Sequence, residues 1–245
     1  MQYSADFKYI VVALEGLWKD FNFIVEEMET FVPLSVSGFE GERRKMIDHY
    51  ARHNQDKPIA QIEAMVDEQI EFRASERFQF SDKFSSRFSA LNVSVSLLSH
   101  ALCEAVINTI LALGLCKVKC EEIFSIIEKV DIKEKWRIGP KSFCTTYSFD
   151  CSKAYWETLK HLVKDRNSFV HYKIKLKIGE QEVLRGSRTE RMSFEEQTKW
   201  LYRYFSLPYD LDEVATSQLE MLPILIGSKT ILRSSVHGVT PRFTI

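Results

Sequence analysis

The sequence of 245 residues predicts an all-α protein, and three observations lead to this fold class. Apolar residues recur with the 3.6-residue period of a helix along most of the chain. The nine glycines and six prolines are too few for propellers, many-turned β-sandwiches or glycine-rich nucleotide-binding loops. One clear β signal occurs, over residues 173–184, where Ile174, Leu176 and Ile178 alternate with lysines before a turn at Gly179. We therefore expect a helical bundle with a small β-hairpin.

The N-terminal part, residues 1–80, is expected to form a helical extension that packs on the core. Its helices are predicted over residues 6–31, 42–52 and 59–77. The first and third carry apolar stripes, whereas the second is polar. Val32-Pro33 is expected to end the first helix, and Lys57-Pro58 the second, because the residue before a proline avoids the helical conformation.

The core is predicted over residues 81–218, followed by an irregular tail over residues 219–245. A Ser-Asp-Lys interruption near residue 82 is expected to precede a long apolar helix over residues 93–118. The later elements are predicted as a short helix over 120–130, a connector over 131–143, a helix over 152–171, the hairpin over 173–184 and a last helix over 194–217. Ser193 and Glu196 have the spacing of a capping box, which marks the start of that last helix.

The segment 93–118 is long enough to cross a bilayer, but its polar residues favour a soluble bundle. Glu104 falls near its centre, and an acid at that depth costs about 2.5–3.5 kcal/mol on insertion scales. His100, Glu104 and Asn108 are spaced four residues apart, so a helix places them in one stripe. We expect a buried helix with no membrane, and His100 as a core or interface histidine.

Charge and cysteine usage restrict the cellular compartment and the binding partners that we expect for this protein. The net charge is −1, from 33 basic and 34 acidic residues, which excludes a globally basic coat for nucleic acid. Locally, residues 1–40 carry −5, and residues 153–177 carry +5. The five cysteines contain no CxxC pair, so we interpret them as core hydrophobes in a reducing compartment. No signal peptide is recognised, and a cytoplasmic protein without a bound metal is expected.

One segment stands out chemically, at the end of the helix predicted over 152–171. Arg166, Asn167 and His171 place a guanidinium, an amide and an imidazole within six residues. Asn167 and His171 face the same way because they are four residues apart. Arg166 and His171 lie about 140° apart around an ideal helix, so two copies of the helix would line a shared cleft better than one.

Arg166-Asn167-xxx-His171 resembles the RN-xxx-H form of the R-x4–6-H signature of HEPN domains. The helix that carries Glu104 and Asn108 and the connector at Lys135-Trp136 also resemble that superfamily, and the resemblance covers about residues 85–175. It implies a homodimeric all-α bundle and, in many members, a metal-independent endoribonuclease without a cofactor. A toxin or a defence or stress protein, with an antitoxin or effector partner, is the role that this resemblance implies.

The resemblance implies a role for each matching residue. His171 would transfer protons, because imidazole titrates near neutral pH, and Arg166 would stabilise the charged phosphorane. Asn167 would orient His171 or the scissile phosphate, and the expected products carry a 2′,3′-cyclic phosphate and a 5′-hydroxyl. The basic residues expected to bind RNA are Lys164, Lys173 and Lys175. For Glu104 and Asn108 two roles stay open, which are support of His171 and pairing with a lysine on a buried face.

Two other classes of function remain as alternatives. A non-catalytic dimerisation or scaffold module would use Arg166 and His171 as interface or cap residues. A nucleotide-binding regulator would place a phosphate in the same cleft without cleaving RNA.

Overall fold

The structure is a computed structural model that describes residues 7–170, 177–178, 181–182 and 193–225. It is predominantly helical, which confirms the all-α fold class. The predictions for His171, Lys173 and Lys175 fall outside the described residues, as does most of the tail.

The three N-terminal helices are present where the hydrophobic pattern and the prolines predict them. They are α1 (Phe7–Glu29), α2 (Glu40–His53) and α3 (Ile59–Ala74), with a 3-10 helix at Val36–Phe39 before α2. Pro58 is the N-cap of α3, which fits the predicted break at Lys57-Pro58.

The long helix α4 runs without a break over Glu76–Lys117, so the predicted interruption near residue 82 is wrong. Ser81, Asp82 and Lys83 are exposed, while Phe84 and Phe88 are fully buried and continue the apolar stripe. Three polar residues on the solvent side of a helix do not end it when the buried side stays apolar.

By length and composition, α4 could cross a membrane, because an 18-residue window in it has a mean hydropathy of 1.6. About 61% of that window is buried inside the protein. Core helices of soluble proteins have the same length and composition, so the expectation of no membrane stays a prediction.

Two further elements follow α4 before the next long helix. The predicted helix over 120–130 is a 3-10 helix (Glu121–Ile123) that continues into α5 (Phe124–Ile127). The prediction of a connector over residues 131–143 is wrong in part, because this segment contains α6 (Ile132–Ile138) and a 3-10 helix (Gly139–Ser142). Asp131 starts α6 as its N-cap, where its side chain accepts a hydrogen bond from the backbone N–H of Lys133 at 2.9 Å.

The helices α7 (Ala154–Val170) and α8 (Phe194–Gln218) confirm the last two helical predictions within the described residues. The capping box at Ser193 and Glu196 is formed in both directions. After α8, the carboxylate of Asp212 accepts the backbone N–H groups of Ile224 and Leu225 at 3.0 and 2.7 Å.

The β signal coincides with two short strands, β1 (Lys177–Ile178) and β2 (Gln181–Glu182). They pair antiparallel, with Lys177 opposite Glu182 and Ile178 opposite Gln181. The rest of the span 173–184 lies outside the described residues, so the full hairpin stays a prediction.

The chain divides into two compact units, so that the predicted extension over residues 1–80 is shared between them. One unit contains the described residues of Met1–Phe21 and Leu91–Ile245, and the other contains Asn22–Ala90. In the first unit, Trp18 and Phe21 of α1 pack on Tyr202 and Phe205 of α8, with ring centroids 4.8–5.8 Å apart. These aromatic contacts attach the start of α1 to the last helix.

In the second unit, α2 and α3 pack against each other through an apolar core. Ile62, Val66 and Ile70 are buried on one face of α3, against partly buried apolar residues of α2. Arg43 of α2 forms a bidentate ion pair with Asp67 of α3, with N–O distances of 2.5 and 2.9 Å. A hydrogen bond from Arg43 lowers the pKa of Asp67, although both groups are solvent-accessible.

Candidate functional site

Arg166 and Asn167 lie in the last two described turns of α7. Arg166 is half-buried and Asn167 is exposed, and Arg166 Nη1 donates a hydrogen bond to Asn167 Oδ1 at 3.0 Å. Among the described residues, no carboxylate forms an ion pair with Arg166. The positive charge of the guanidinium is therefore not neutralised by a neighbouring acid in this part of the chain.

His100 of α4 is a buried histidine on which charged residues of three helices act electrostatically. It is buried, with 8% of its surface exposed, and burial lowers its pKa from the ordinary value of 6.5. Its neighbours also act on this pKa, which the negative charges of Glu104 and Asp131 raise and the positive charges of Arg166 and Lys135 lower. Charged residues of α4, α6 and α7 thus act on the His100 ring, and we call these residues the polar cluster.

Glu104 takes the second of the two roles that the sequence left open. Its Oε1 accepts a hydrogen bond from Lys135 Nζ at 2.9 Å, in an ion pair between α4 and α6. The side chain of Lys135 is completely buried, whereas that of Glu104 is 40% exposed. For Asn108, the side-chain oxygen is buried and has no hydrogen-bond partner among the described residues.

Lys135 is a member of this cluster that was not predicted as a site residue from the sequence. Its only signal was the Lys135-Trp136 pair, which lies in the segment interpreted as a connector. Once the segment is helical, Lys135 and Trp136 both turn inward, and each is 1% exposed or less. Tyr147 encloses the same region, because its hydroxyl donates to the backbone oxygen of Trp136 at 2.8 Å.

A second polar group lies directly next to Arg166, between α7 and α8. The Tyr204 hydroxyl donates to Asp165 Oδ2 at 2.7 Å and is also hydrogen-bonded to His161 Nδ1. All three side chains are buried. The His161 ring stacks on Trp200, with centroids 3.7 Å apart and planes 4° from parallel. Tyr204 and Trp200 are not among the site residues predicted from the sequence.

Of the lysines expected to bind RNA, Lys164 is exposed on α7, and Lys173 and Lys175 lie outside the described residues. His171 lies outside them as well, so its position relative to Arg166 stays a prediction. Within the described ranges, no group of three or more His, Cys, Asp or Glu side chains is arranged to hold a metal ion.

The interpretation of the cysteines as core residues is right only for Cys103. Burial raises the pKa of its thiol well above the ordinary value, and the charge of Asp210 adds to the effect. Cys116 and Cys151 are exposed, because they lie on the solvent side of α4 and in the turn before α7. A helical run that is apolar on average still has a solvent side.

The fold and the polar cluster together define a class, which is a predominantly helical protein with an arginine that has no acidic partner among the described residues and that acts electrostatically on a buried histidine. Comparisons with protein-family models, with curated proteins and with solved structures each give no match to this chain. A function is therefore inferred from the chemistry of the polar cluster.

Proposed function

We propose that this protein is a metal-independent endoribonuclease of the HEPN type, which acts as a homodimer in the cytoplasm in a toxin, defence or stress role. One observation carries the proposal. Arg166 is half-buried and has no carboxylate partner among the described residues, and its guanidinium is hydrogen-bonded to the Asn167 amide. A guanidinium in this state favours an anion, and its planar fork fits the oxygens of a phosphate.

The reaction requires no group other than side chains. The 2′-oxygen of a ribose attacks the adjacent phosphorus, the bond from phosphorus to the 2′-oxygen forms, and the bond to the 5′-oxygen breaks. A base removes the proton of the 2′-hydroxyl, and an acid supplies a proton to the departing 5′-oxygen. The products carry a 2′,3′-cyclic phosphate and a 5′-hydroxyl, and Arg166 stabilises the negative charge of the phosphorane between these steps.

His171 is proposed to transfer these protons, because an imidazole gains and loses a proton near neutral pH. One imidazole cannot be base and acid at the same moment, so a homodimer would supply the second one. Asn167 would hold the guanidinium through the hydrogen bond described above and contact the same phosphate. Lys164, which is exposed on α7, and the nearby Lys173 and Lys175 would bind the RNA backbone.

The test measures cleavage of a labelled RNA with single-stranded and looped parts, in EDTA, with analysis of the product ends. The variants are Arg166→Ala and His171→Ala. Matched controls are Arg137→Ala, which removes an exposed arginine paired with Glu134, and His53→Ala, which removes an exposed histidine of α2. We expect Arg166→Ala to lower the rate by about 10²–10³-fold and His171→Ala by about 10²–10⁴-fold, with both controls unchanged.

Two results would contradict the proposal. If the folded, dimeric wild type leaves the RNA intact, the scaffold and the nucleotide-binding alternatives replace it. These two are then separated by thermal stabilisation with nucleotides, because a ligand that binds only the folded state raises its stability by mass action. If wild type and His171→Ala cleave equally, the activity belongs to another site or to a contaminant.

A further inference from the structure

Two histidines near the end of α2 lie one helical turn apart on its solvent side. His49 and His53 are both exposed, and their ring centroids are 4.4 Å apart with planes 33° from parallel. Residues four apart on a helix share a face, which brings the two imidazoles together. Such a pair can hold one metal ion between its ring nitrogens, which a single exposed histidine cannot do.

A hydrogen bond determines which nitrogen of His53 is available to a metal. Its Nδ1 lies 2.8 Å from the backbone oxygen of His49. A carbonyl oxygen only accepts, so Nδ1 carries the proton and donates, and Nε2 of the neutral ring keeps its lone pair. Metal-binding histidines commonly donate their other N–H to a backbone carbonyl in this way. In the described part of the chain, the ring nitrogens of His49 make no hydrogen bond, so one of them can also bind the metal.

The separation of the rings suits a metal with imidazole ligands. Bonds from zinc to an imidazole nitrogen are about 2.0–2.1 Å long, so two imidazoles on one tetrahedral ion have centroids roughly 5 Å apart. The rings of His49 and His53 therefore have to separate by less than about 1 Å, which a small rotation of these exposed side chains provides.

The backbone that carries the pair is held by packing and by a cap. Another face of α2 places Met46, Ile47, Tyr50 and Ala51 against the buried residues of α3. After the helix, Asn54 binds the backbone oxygen of Tyr50 twice, through its own N–H at 2.9 Å and through its side-chain amide at 3.0 Å. A pair on such a rigid element loses little conformational entropy when it binds an ion.

The charges and the number of ligands determine how firmly an ion is held. The C-terminal end of a helix favours positive charge, and His53 is the last residue of α2. Lys45, four residues before His49, and Arg52 oppose a cation. Among the described residues, no third His, Cys, Asp or Glu side chain completes a metal site with the pair. Two protein ligands leave the other coordination positions to water, so the ion is exchangeable.

We propose that His49 and His53 form a binding site for one divalent transition-metal ion that prefers imidazole, such as Zn²⁺, with water as its other ligands. The bound ion joins the last turn of α2 to the turn before it. Imidazole suits Zn²⁺, Cu²⁺ and Ni²⁺, whereas Mg²⁺ and Ca²⁺ prefer oxygen ligands. The proposed RNA cleavage needs no metal, so this site does not depend on that function.

The first measurement is a calorimetric titration of the full-length protein with ZnCl₂, after treatment with EDTA and desalting. His49→Gln and His53→Gln each remove one ligand at an exposed position, and circular dichroism checks that they are folded. Loss of an outer partner of a ligand already costs about 10–100-fold in metal affinity, so we expect each variant to bind Zn²⁺ at least about tenfold more weakly. His100→Gln is the matched control, because this buried histidine should leave Zn²⁺ binding unchanged. MgCl₂ should give no heat of binding at the pair.

A register variant separates the geometry of the pair from the number of histidines. Arg44→His combined with His53→Ala keeps six histidines, but its pair at positions 44 and 49 lies about 140° apart around the helix. Arg44 is exposed, and removal of its positive charge favours a cation. Weak binding by this variant therefore cannot result from a change in charge. We expect it to bind Zn²⁺ as weakly as His53→Gln.

The second measurement locates the ion by NMR. The ring signals of His49 and His53, assigned from the two glutamine variants, should shift on addition of Zn²⁺. Amide hydrogen exchange in the last turn of α2 should slow in the wild type and stay unchanged in both variants, because the ion joins that turn to the one before it.

Three outcomes overturn the metal site. One is folded His49→Gln and His53→Gln proteins that bind Zn²⁺ with the stoichiometry and affinity of the wild type. Another is a register variant that binds as tightly as the wild type, and the third is Zn²⁺ that shifts only the signals of other histidines. If the wild type does not cleave RNA, the proposed ribonuclease function fails, and these measurements still judge the metal site.

Discussion

Glu104 and Lys135 form an ion pair, and removal of Glu104 should lower stability much more than removal of Lys135. Glu104→Ala leaves the ammonium of Lys135 in a fully buried position without its partner at 2.9 Å. Lys135→Met removes the charge and keeps an unbranched side chain of similar length. The carboxylate of Glu104, which is 40% exposed, then turns to solvent.

The burial of the two side chains sets the expected magnitudes. Removal of one partner of a buried ion pair costs about 3–5 kcal/mol. Because the Glu104 side of the pair is open to solvent, water can enter the space that alanine leaves, and we expect the lower cost of about 2–3 kcal/mol. Lys135→Met should change the free energy of unfolding by less than about 1.5 kcal/mol, as volume-conserving changes do. The double variant should resemble Lys135→Met, because no buried charge is then left unpaired.

The assay is urea unfolding of the wild type, both single variants and the double variant, followed by circular dichroism at neutral pH. Free energies are compared by the midpoints where the denaturant slopes agree. The reasoning is refuted if the two single variants lose equal stability and their effects add in the double variant, since additivity means that the groups do not interact.

Three other predictions follow from single positions. Gly114→Ala should lower the free energy of unfolding by about 1–3 kcal/mol, because the new Cβ would lie 2.3 Å from the ring of Phe143. Gly16→Ala on α1 should raise the free energy of unfolding by about 0.5–1 kcal/mol, because the new Cβ meets nothing within 4 Å. Thermal unfolding of both variants measures this, and equal effects would contradict it. The thiol of Cys103 should react with a maleimide only after unfolding, because it is buried and burial raises its pKa. Mass spectrometry of the native and the denatured protein measures this reaction. Modification of Cys103 in the native protein would refute its burial. Because burial lowers the pKa of His100, the unfolded chain binds the proton first on acidification, so stability should fall as the pH drops below about 6.5. His100→Gln should make that fall shallower in urea titrations between about pH 7 and pH 5, and an unchanged slope would show that other groups cause it.

The helices that pack on the core could be predicted from the sequence, because their apolar period and end signals are local. The capping box of Ser193 and Glu196 and the break at Pro58 are examples. The predicted break near Asp82 was wrong because a short run of polar residues does not show whether those residues end a helix or lie on its solvent side. The seven-residue α6 was missed because it is too short to show a period, and Asp131 as its cap was the signal that could have revealed it.

The candidate site was predictable only where its residues are close in sequence. Arg166 and Asn167 are neighbours, and their hydrogen bond follows from that. The contacts from Lys135 to Glu104 and from Tyr204 to Asp165 span 31 and 39 residues. Such contacts depend on which helices pack together, and no period or spacing within one segment contains that information. A fully buried lysine also contradicts the usual preference of lysine for the surface, which favoured its interpretation as part of a connector.

The pairing of the acids around the polar cluster explains why Arg166 has no acidic partner among the described residues. Three carboxylates lie near Arg166 or act on His100, and each has another partner. Glu104 binds Lys135, Asp165 accepts from Tyr204, and Asp131 caps α6 at the backbone N–H of Lys133. A guanidinium that no acid neutralises attracts anions, and its planar fork fits the oxygens of a phosphate. In the proposed function these pairings leave the guanidinium to a phosphate, and the contacts that make them are not contained in the Arg-x4-His spacing.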